Sequence, residues 1–421
     1  LGSFFYFCTM KRLYDFLMYL ADALLARWAK TGSKLHERQA GAQRAFSEVA
    51  AFRAQAPEAA VAWFHVASLG EYEQAKPLLA ALKAEQPALR IVVSFFSPSG
   101  YRPAAAKPQA HVDTLFYLPL DRPAHAQKLL HTLRPQLFFC VKYDIWPNFL
   151  LAAKASGASC YLIAAVFRPG QVYFRPWGGF FRRILPLFDH VFTQDEKTAQ
   201  LLQRHYPSLA VTCTGDTRYD RVLETAAAPK RFPEIEACIA GRPVLVAGSV
   251  WEQDMRLLLP FIREARDFFI LIAPHAFQEE QMERWLRETG RPSRRYSKLK
   301  GPCDVLLIDN VGMLAQLYQY ATVAYVGGAS GDGLHNILEP IGFQVPVVHA
   351  RLKRRAKFPE SASAREAGLV QEVQDAEVCR RALGRYRDAH TLAQAKTRAA
   401  AFLHRQKGSS QAIMHVLKQE I

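Results

Sequence analysis

The chain has 421 residues, 50% of them hydrophobic, which suits two or three packed domains and excludes a disordered or collagen-like polymer. Its 54 Lys and Arg against 38 Asp and Glu leave a net charge of +16, favouring anionic partners such as acidic lipid, phosphorylated substrates or nucleic acid. The seven cysteines stand singly, with no CxxC pair and no His cluster at zinc spacing, so reduced thiols, a cytosolic setting and no metal site are expected.

The N-terminal stretch is apolar and aromatic, but Lys11, Arg12, Asp15 and Asp22 interrupt it before it can span a bilayer. From Leu13 onward, Leu13, Phe16, Leu17, Leu20, Leu24 and Trp28 recur at helical spacing on one face, with Arg12, Asp15, Tyr19 and Asp22 on another. Bounded by Lys11, Arg12, Arg27 and Lys30, such a helix suits a membrane interface as well as it suits packing on its own domain. Met10 offers an alternative start, which would leave the residues before it outside the natural chain.

A polar helical stretch near 31–55 follows, and then short apolar runs alternate with amphipathic segments, the pattern of strand–helix units around parallel sheets. Strands are predicted at 60–68, 90–97, 114–119, 136–141, 160–166 and 190–194, with helical segments such as 77–85 and 125–133 between them. A second series is predicted at 242–249, 268–275, 304–309, 322–328 and 345–350. The fold class is therefore α/β with two Rossmann-like domains, joined near 222–242 where alanine, proline and charge intervene. The expected organisation is an apolar helical segment at 1–55, a first domain at 56–230 and a second at 231–421, with a ligand cleft between the domains.

In open parallel sheets the chemistry gathers just after the carboxyl ends of strands. Ser68-Leu69-Gly70-Glu71 follows the first predicted strand; Glu71 there can take a proton from a hydroxyl, or Ser68 and Glu71 can form a capping box at a helix start. Lys142-Tyr143-Asp144-Ile145-Trp146-Pro147-Asn148 follows 136–141, with Asp144 either binding an acceptor or capping a helix. In Gly215-Asp216-Thr217-Arg218-Tyr219-Asp220, Arg218 can neutralise a leaving phosphate or pair with Asp216 or Asp220.

The region from Asp309 to Pro340 is the richest. Gly327-Gly328-Ala329-Ser330-Gly331-Asp332-Gly333 ends a predicted strand, and His335 to Glu339 opens a helix, an arrangement that offers backbone N–H groups to a nucleotide phosphate without matching a Walker A or GxGxxG motif. Asn336 and Glu339 can reach ribose hydroxyls, and Pro274-His275 lies at a neighbouring strand end, where His275 alone reads as a structural histidine. The basic residues Arg351, Lys353, Arg354, Arg355 and Lys357, with Arg294, Arg295, Lys298 and Lys300, carry no nucleic-acid motif and read as a solvated or lipid-facing surface.

Taken in order, SLGE (68–71), DIWPN (144–148), GDTRYD (215–220), PH (274–275), DNVGML (309–314), GG (327–328) and HNILEP (335–340) resemble the 3-deoxy-D-manno-octulosonic acid (Kdo) transferases of lipopolysaccharide synthesis. The resemblance implies a GT-B glycosyltransferase with an acceptor-binding first domain, a nucleotide-binding second domain and association with the cytoplasmic face of the inner membrane through the N-terminal helix. It implies CMP-Kdo as donor, a lipid A precursor as acceptor, anionic inner-membrane lipid as a further partner, and neither cofactor nor nucleic acid. By the same resemblance Glu71 is the general base of an inverting transfer, and Asp144 and Arg218 stabilise the transition state. Pro274, His275, Val311, Gly312, Met313, Gly327, Gly328, Asn336, Ile337, Leu338 and Glu339 match the CMP-binding segments. Many members of that family carry Glu where Asp144 stands, Lys at Arg218, Arg at His275 and Glu at Met313. The competing readings are a GT-B enzyme with another nucleotide sugar and a non-catalytic basic membrane-surface protein.

Overall fold

The apolar runs become the strands of two all-parallel sheets, each in its own compact unit: Leu1–Arg218 with Gly408–Ile421, and Tyr219–Lys407. This computed structural model of the chain describes residues 2–331, 333–353, 355 and 358–420; Asp332, Arg354 and Lys357, picked out in the sequence, lie outside them. The division falls at Arg218, ahead of the expected 222–242, and the C-terminal helix Ser409–Glu420 belongs to the first unit instead of the second. Packing explains the return: Ile413, Met414 and Leu417 share one core with Leu78, Leu79 and Leu82 of the helix Leu69–Glu85, and Lys418 Nζ lies 2.7 Å from Glu85.

The first sheet comprises β1 (Val61–Val66), β2 (Arg90–Phe95), β3 (Thr114–Tyr117), β4 (Leu137–Val141), β5 (Ser159–Ala165), β6 (His190–Thr193) and β7 (Val211–Cys213), in the order β3-β2-β1-β4-β5-β6-β7. Helices cover both faces, so its inner strands are mostly apolar on both faces instead of alternating, His65 in β1 and Ser94 in β2 being polar exceptions. Along β1, Ala62, Phe64 and Val66 enter one core while Val61 and Trp63 enter the other. The second sheet comprises β8 (Val244–Val250), β9 (Phe269–Pro274), β10 (Ser293–Arg295), β11 (Val305–Leu307), β12 (Val323–Val326), β13 (Val347–Ala350) and β14 (Val370–Val373), in the order β10-β11-β9-β8-β12-β13-β14. The strand order reverses at β1/β4 in one sheet and at β8/β12 in the other, and such switch points open the ligand crevice of a parallel sheet.

Three strands were not predicted: β7, β10 and β14. All three lie at sheet edges, where pairing on one side suffices and full burial is not required. Ser293-Arg294-Arg295 is accordingly polar, and the inner residues of β14 are half-exposed.

The N-terminal helix Gly2–Trp28 docks through its polar side. Tyr14 Oη donates to Asp121 at 2.8 Å, Asn148 Nδ2 to Asp15 at 2.9 Å, and Arg122 Nη1 to Asp22 at 2.7 Å. Leu13, Phe16, Leu17, Leu20 and Trp28 are left exposed, Phe16 at 62% and Trp28 at 67%. Among the described residues no helix is long and apolar enough to cross a membrane.

Candidate active site

From Val66 the chain passes through Ala67 and Ser68 into the helix Leu69–Glu85, which carries Glu71. The helix Pro98–Ala105 presses on this turn so closely that a Cβ on Gly100 would lie 2.9 Å from the Leu69 nitrogen. The Ser-x-x-Glu capping box does not form. Ser68 makes no side-chain cap bond, and Glu71 Oε2 accepts from the Ala67 N–H at 2.5 Å. Glu71 is only 6% exposed. Burial pushes its carboxyl above the usual carboxylate range against the pull of the Ala67 N–H; the Asp144 charge adds to the rise, while His65 and Lys142 oppose it.

At the end of β4, Lys142 takes φ +70°, a left-handed conformation that costs a side-chain-bearing residue about 1–3 kcal/mol. Two residues on, Asp144 Oδ2 lies 2.8 Å from His65 Nε2 at the end of β1. That distance requires a proton on Nε2, so the Trp146 indole N–H donates to the Asp144 carboxylate, at 3.2 Å. Behind the imidazole, Trp63 Nε1 donates to Ser94 Oγ at 2.8 Å, and the Ser94 hydroxyl, 2.9 Å from His65 Nδ1, donates to it. This chain fixes the His65 tautomer. Burial by itself would raise the Asp144 carboxyl; its interaction with His65, helped by the Trp146 donor, outweighs it and holds the group below its usual range. Two carboxyl groups at adjacent strand ends are thus displaced in opposite directions, the condition under which one serves as a proton acceptor and the other stays ionised.

Asp144 is not a helix cap. The helix Pro147–Ala155 has Trp146 at its N-cap, and its free N–H groups at Asn148 and Phe149 donate to Asp121, at 2.9 and 3.0 Å. Asp121 is fully buried, and burial pushes its carboxyl up to about 6.

Arg218 ends a loop tied to the Glu71 helix: Thr217 Oγ1 donates to the Gln74 carbonyl at 2.5 Å. The Arg218 guanidinium grips Asp216, with Nη2 2.7 Å and Nε 3.0 Å from Oδ2. The ion pair foreseen in the sequence therefore forms, on a loop anchored one helical turn from Glu71.

In the second unit Gly327 and Gly328 follow β12. A Cβ on Gly327 would come within 2.3 Å of the Ser249 carbonyl, and Ser249, in β8, itself takes φ +53°. Gly328, at φ +91°, donates its N–H to Asp254 Oδ2 at 3.0 Å. Buried Asp254 also accepts from the Trp251 N–H at 3.0 Å and from Tyr325 Oη at 2.8 Å, and so braces the glycine loop from beneath. The His275 ring stacks on Trp251 at 4.1 Å and lies 4.6 Å from the His335 ring. Trp251 Nε1 donates to His335 Nε2 at 3.2 Å. Burial, helped by His275, lowers His335 to about 4, so the ring is neutral with its proton on Nδ1.

Asn336 caps the following turn by accepting from the Leu338 N–H at 3.0 Å and donates to Glu339 at 3.1 Å. Ile337 and Leu338 turn their side chains into the core, which leaves backbone as their free surface. Val311 is 74% exposed, and Gly312 takes φ +96°. Met313 is buried, its sulfur accepting from Asn310 Nδ2 at 2.9 Å. The structure thus joins His275, Gly328 and His335 directly and places Val311–Met313 on the same sheet edge, after β11. Part of the basic cluster is internally neutralised: Arg295 bonds Asp309 at 2.9 Å, and Arg355 pairs with Glu372.

A family model described as 3-deoxy-D-manno-octulosonic-acid transferase (kdotransferase) matches residues 34–221. The 3-deoxy-D-manno-octulosonic acid transferase of Chlamydophila psittaci is 31% identical over 308 residues, which cover 68% of this chain and 69% of that one. The chain belongs to the Kdo transferase family. It is therefore a glycosyltransferase, and its two parallel sheets have the GT-B fold. The putative UDP-N-acetylglucosamine 2-epimerase of Listeria monocytogenes superposes with a TM-score of 0.59 at 12% identity, covering 86% of this chain and 96% of that one. MurG of Acinetobacter baumannii gives 0.55 at 15% identity, covering 86% and 99%.

For a Kdo transferase, the residues that sequence reading missed are the supports of the motifs. His65 and Ser94 are polar positions inside otherwise apolar strands, and that interruption was their visible signal. Trp251 and Asp254 sit just past a strand end but match no motif, and Gly100 is explained only by the turn it packs against.

Proposed function

We propose that this Kdo transferase moves Kdo from CMP-Kdo to a hydroxyl of a lipid A precursor, with inversion at the anomeric carbon and Glu71 as general base. The observation that carries the reading is the Glu71 carboxylate: buried at the switch-point strand end, raised in pKa and released from the capping box. A base with a pKa displaced toward neutrality is better matched to a hydroxyl proton than an ordinary carboxylate. The acceptor O–H proton passes to Glu71 as its oxygen bonds to the anomeric carbon. The bond from that carbon to the phosphate oxygen breaks, and its electron pair leaves with CMP.

Asp144, kept ionised by His65 and Trp146, balances the positive charge that develops on the sugar ring, and Arg218, oriented by Asp216, balances the departing phosphate. CMP binds to the second unit, with the backbone N–H groups of Val311–Met313 for phosphate, the side-chain-free surface of Gly327–Gly328 for its close approach, and the ring surfaces of Trp251, His275 and His335 for the nucleoside. The exposed apolar stripe of the N-terminal helix rests on the cytoplasmic face of the inner membrane, which the net charge of +16 favours.

The test is transfer of Kdo from CMP-Kdo, generated in situ, to a lipid A precursor by wild type and Glu71→Gln, with product stereochemistry read by NMR. An inverted product from wild type, lost in a folded Glu71→Gln, is the expected result. Transfer from a uridine diphosphate sugar in preference to CMP-Kdo would overturn the donor, and equal transfer by both proteins would overturn the base.

A further inference from the structure

Between the N-terminal helix, the helix Lys34–Gln55 and the loop after β3 lies a cavity of about 480 Å³ whose lining includes Tyr19, Asp22, Arg38, Leu120, Arg122 and His125. Arg38 is its unusual member. Its residue is only 6% exposed, yet its one hydrogen bond among the described residues is a 3.4 Å contact from Nη2 to the Leu118 carbonyl, and its Nε has no partner. The Phe96 ring covers the guanidinium at 4.1 Å. Among the described residues Arg38 forms no ion pair, because the one carboxylate lining the cavity, Asp22, is engaged by Arg122 at 2.7 Å. Arg122 repeats the pattern more weakly, with its Nε unpartnered and its guanidinium 4.1 Å over the Tyr19 ring.

Asp22 attracts Arg38 only across the cavity while pairing directly with Arg122, so two guanidinium groups share one carboxylate; burying that excess positive charge is costly, and an anion would relieve it. The surroundings indicate which anion. At about 3.6 residues per turn, Phe16 and Leu20 lie next to Tyr19 and Ala23 around the helix, so the exposed apolar stripe begins where the cavity wall ends. An anionic head seated in the cavity would leave its apolar tail along Leu13, Phe16, Leu17 and Leu20.

We propose that this cavity binds the phosphate of an anionic membrane lipid, with Arg38 and Arg122 as its donors and the exposed stripe of the N-terminal helix as the seat of the acyl chains. The proposal deepens the membrane-surface reading above and rests on it. The site turns a diffuse attraction to a charged surface into recognition of a single headgroup through charge-assisted hydrogen bonds.

Flotation of the full chain with vesicles of phosphatidylcholine alone, or of phosphatidylcholine with phosphatidic acid, tests it. Wild type should favour the phosphatidic acid vesicles, and Arg38→Gln should weaken that preference about tenfold, as loss of a charged hydrogen bond does. Arg27→Gln, which removes an exposed charge on the same helix, should weaken it clearly less. The thermal midpoint of lipid-free Arg38→Gln should match or exceed that of wild type, because no native ion pair is lost.

Wild type that floats with neither vesicle would overturn the membrane reading and the pocket together. Wild type that prefers phosphatidic acid while Arg38→Gln behaves identically, or while Arg27→Gln weakens it equally, would overturn the pocket alone. Transfer assays in phospholipid-free detergent address the other source of a phosphate head: a raised KM for the acceptor in Arg38→Gln there would assign the site to the acceptor and overturn the membrane-lipid assignment.

Discussion

At the carboxyl edge of the first sheet the candidate side chains are titratable, Glu71, Asp144 and the His65 that holds it; at the edge of the second they are glycine backbone and aromatic rings, with the buried carboxylate of Asp254 placed underneath as a brace. The backbone device is shared. Each edge has a side-chain-bearing residue in the left-handed region beside the switch point, Lys142 at φ +70° and Ser249 at φ +53°. What it achieves differs: in the first unit it returns a carboxylate over an imidazole, and in the second it coincides with a carbonyl so close to Gly327 that no side chain fits there. The contrast suits the proposed division of labour, in which one edge moves a proton and the other binds a nucleotide, because proton transfer needs displaced pKa values whereas nucleotide binding needs backbone that a ligand can approach closely.

The largest expected effect that breaks the contrast is Glu71→Gln, which should lower kcat by about 10²–10⁴ with the KM for the CMP-sugar little changed. Gly327→Val is its counterpart on the second edge: the clash with the Ser249 carbonyl should abolish measurable nucleotide binding in calorimetry while the first unit stays folded by circular dichroism and hydrogen exchange. Asp254→Asn should raise the KM for the CMP-sugar about tenfold with a smaller change in kcat, since it weakens three hydrogen bonds under the glycine loop. The smallest is His65→Phe, about tenfold in kcat at most; it should also raise the Asp144 pKa, observable by carboxyl NMR, because the hydrogen bond holding that group down is gone.

How much of this was legible in the sequence depended on burial and on chain distance. Strands such as β1 and β9, buried on both faces, announced themselves as apolar runs, whereas Ser293-Arg294-Arg295 at an edge had no reason to. The motif residues were found because each directly follows such a strand. Ser-x-x-Glu spacing, in contrast, suits a capping box and a carboxylate at a strand end equally, and only the structure shows that the box does not form, Glu71 accepting from the Ala67 N–H instead. Likewise His65 and Asp144 are 79 residues apart, and their pairing follows from β1 and β4 being neighbours, a fact of topology that neither segment carries alone. Ile337, Leu338 and Met313 illustrate the converse: they lie in motif segments, yet their side chains serve the core.

The central claim is that Glu71 is an activated base held at a cost to folding, and the pH dependence of wild type and Glu71→Gln, measured together for kcat and thermal midpoint, tests it most directly. The Glu71 carboxyl has a folded pKa above its unfolded one, so the stability it contributes is present below the unfolded value and lost as pH rises through the folded value. Glutamine can still accept the Ala67 N–H without carrying that buried charge. Glu71→Gln should therefore have the higher midpoint at neutral pH, with the gap closing in acid, while wild-type kcat falls on an acidic limb that starts above the usual carboxylate range and that the variant lacks. Equal kcat in the two proteins, or a variant that is inactive but also less stable than wild type at neutral pH, would contradict the account.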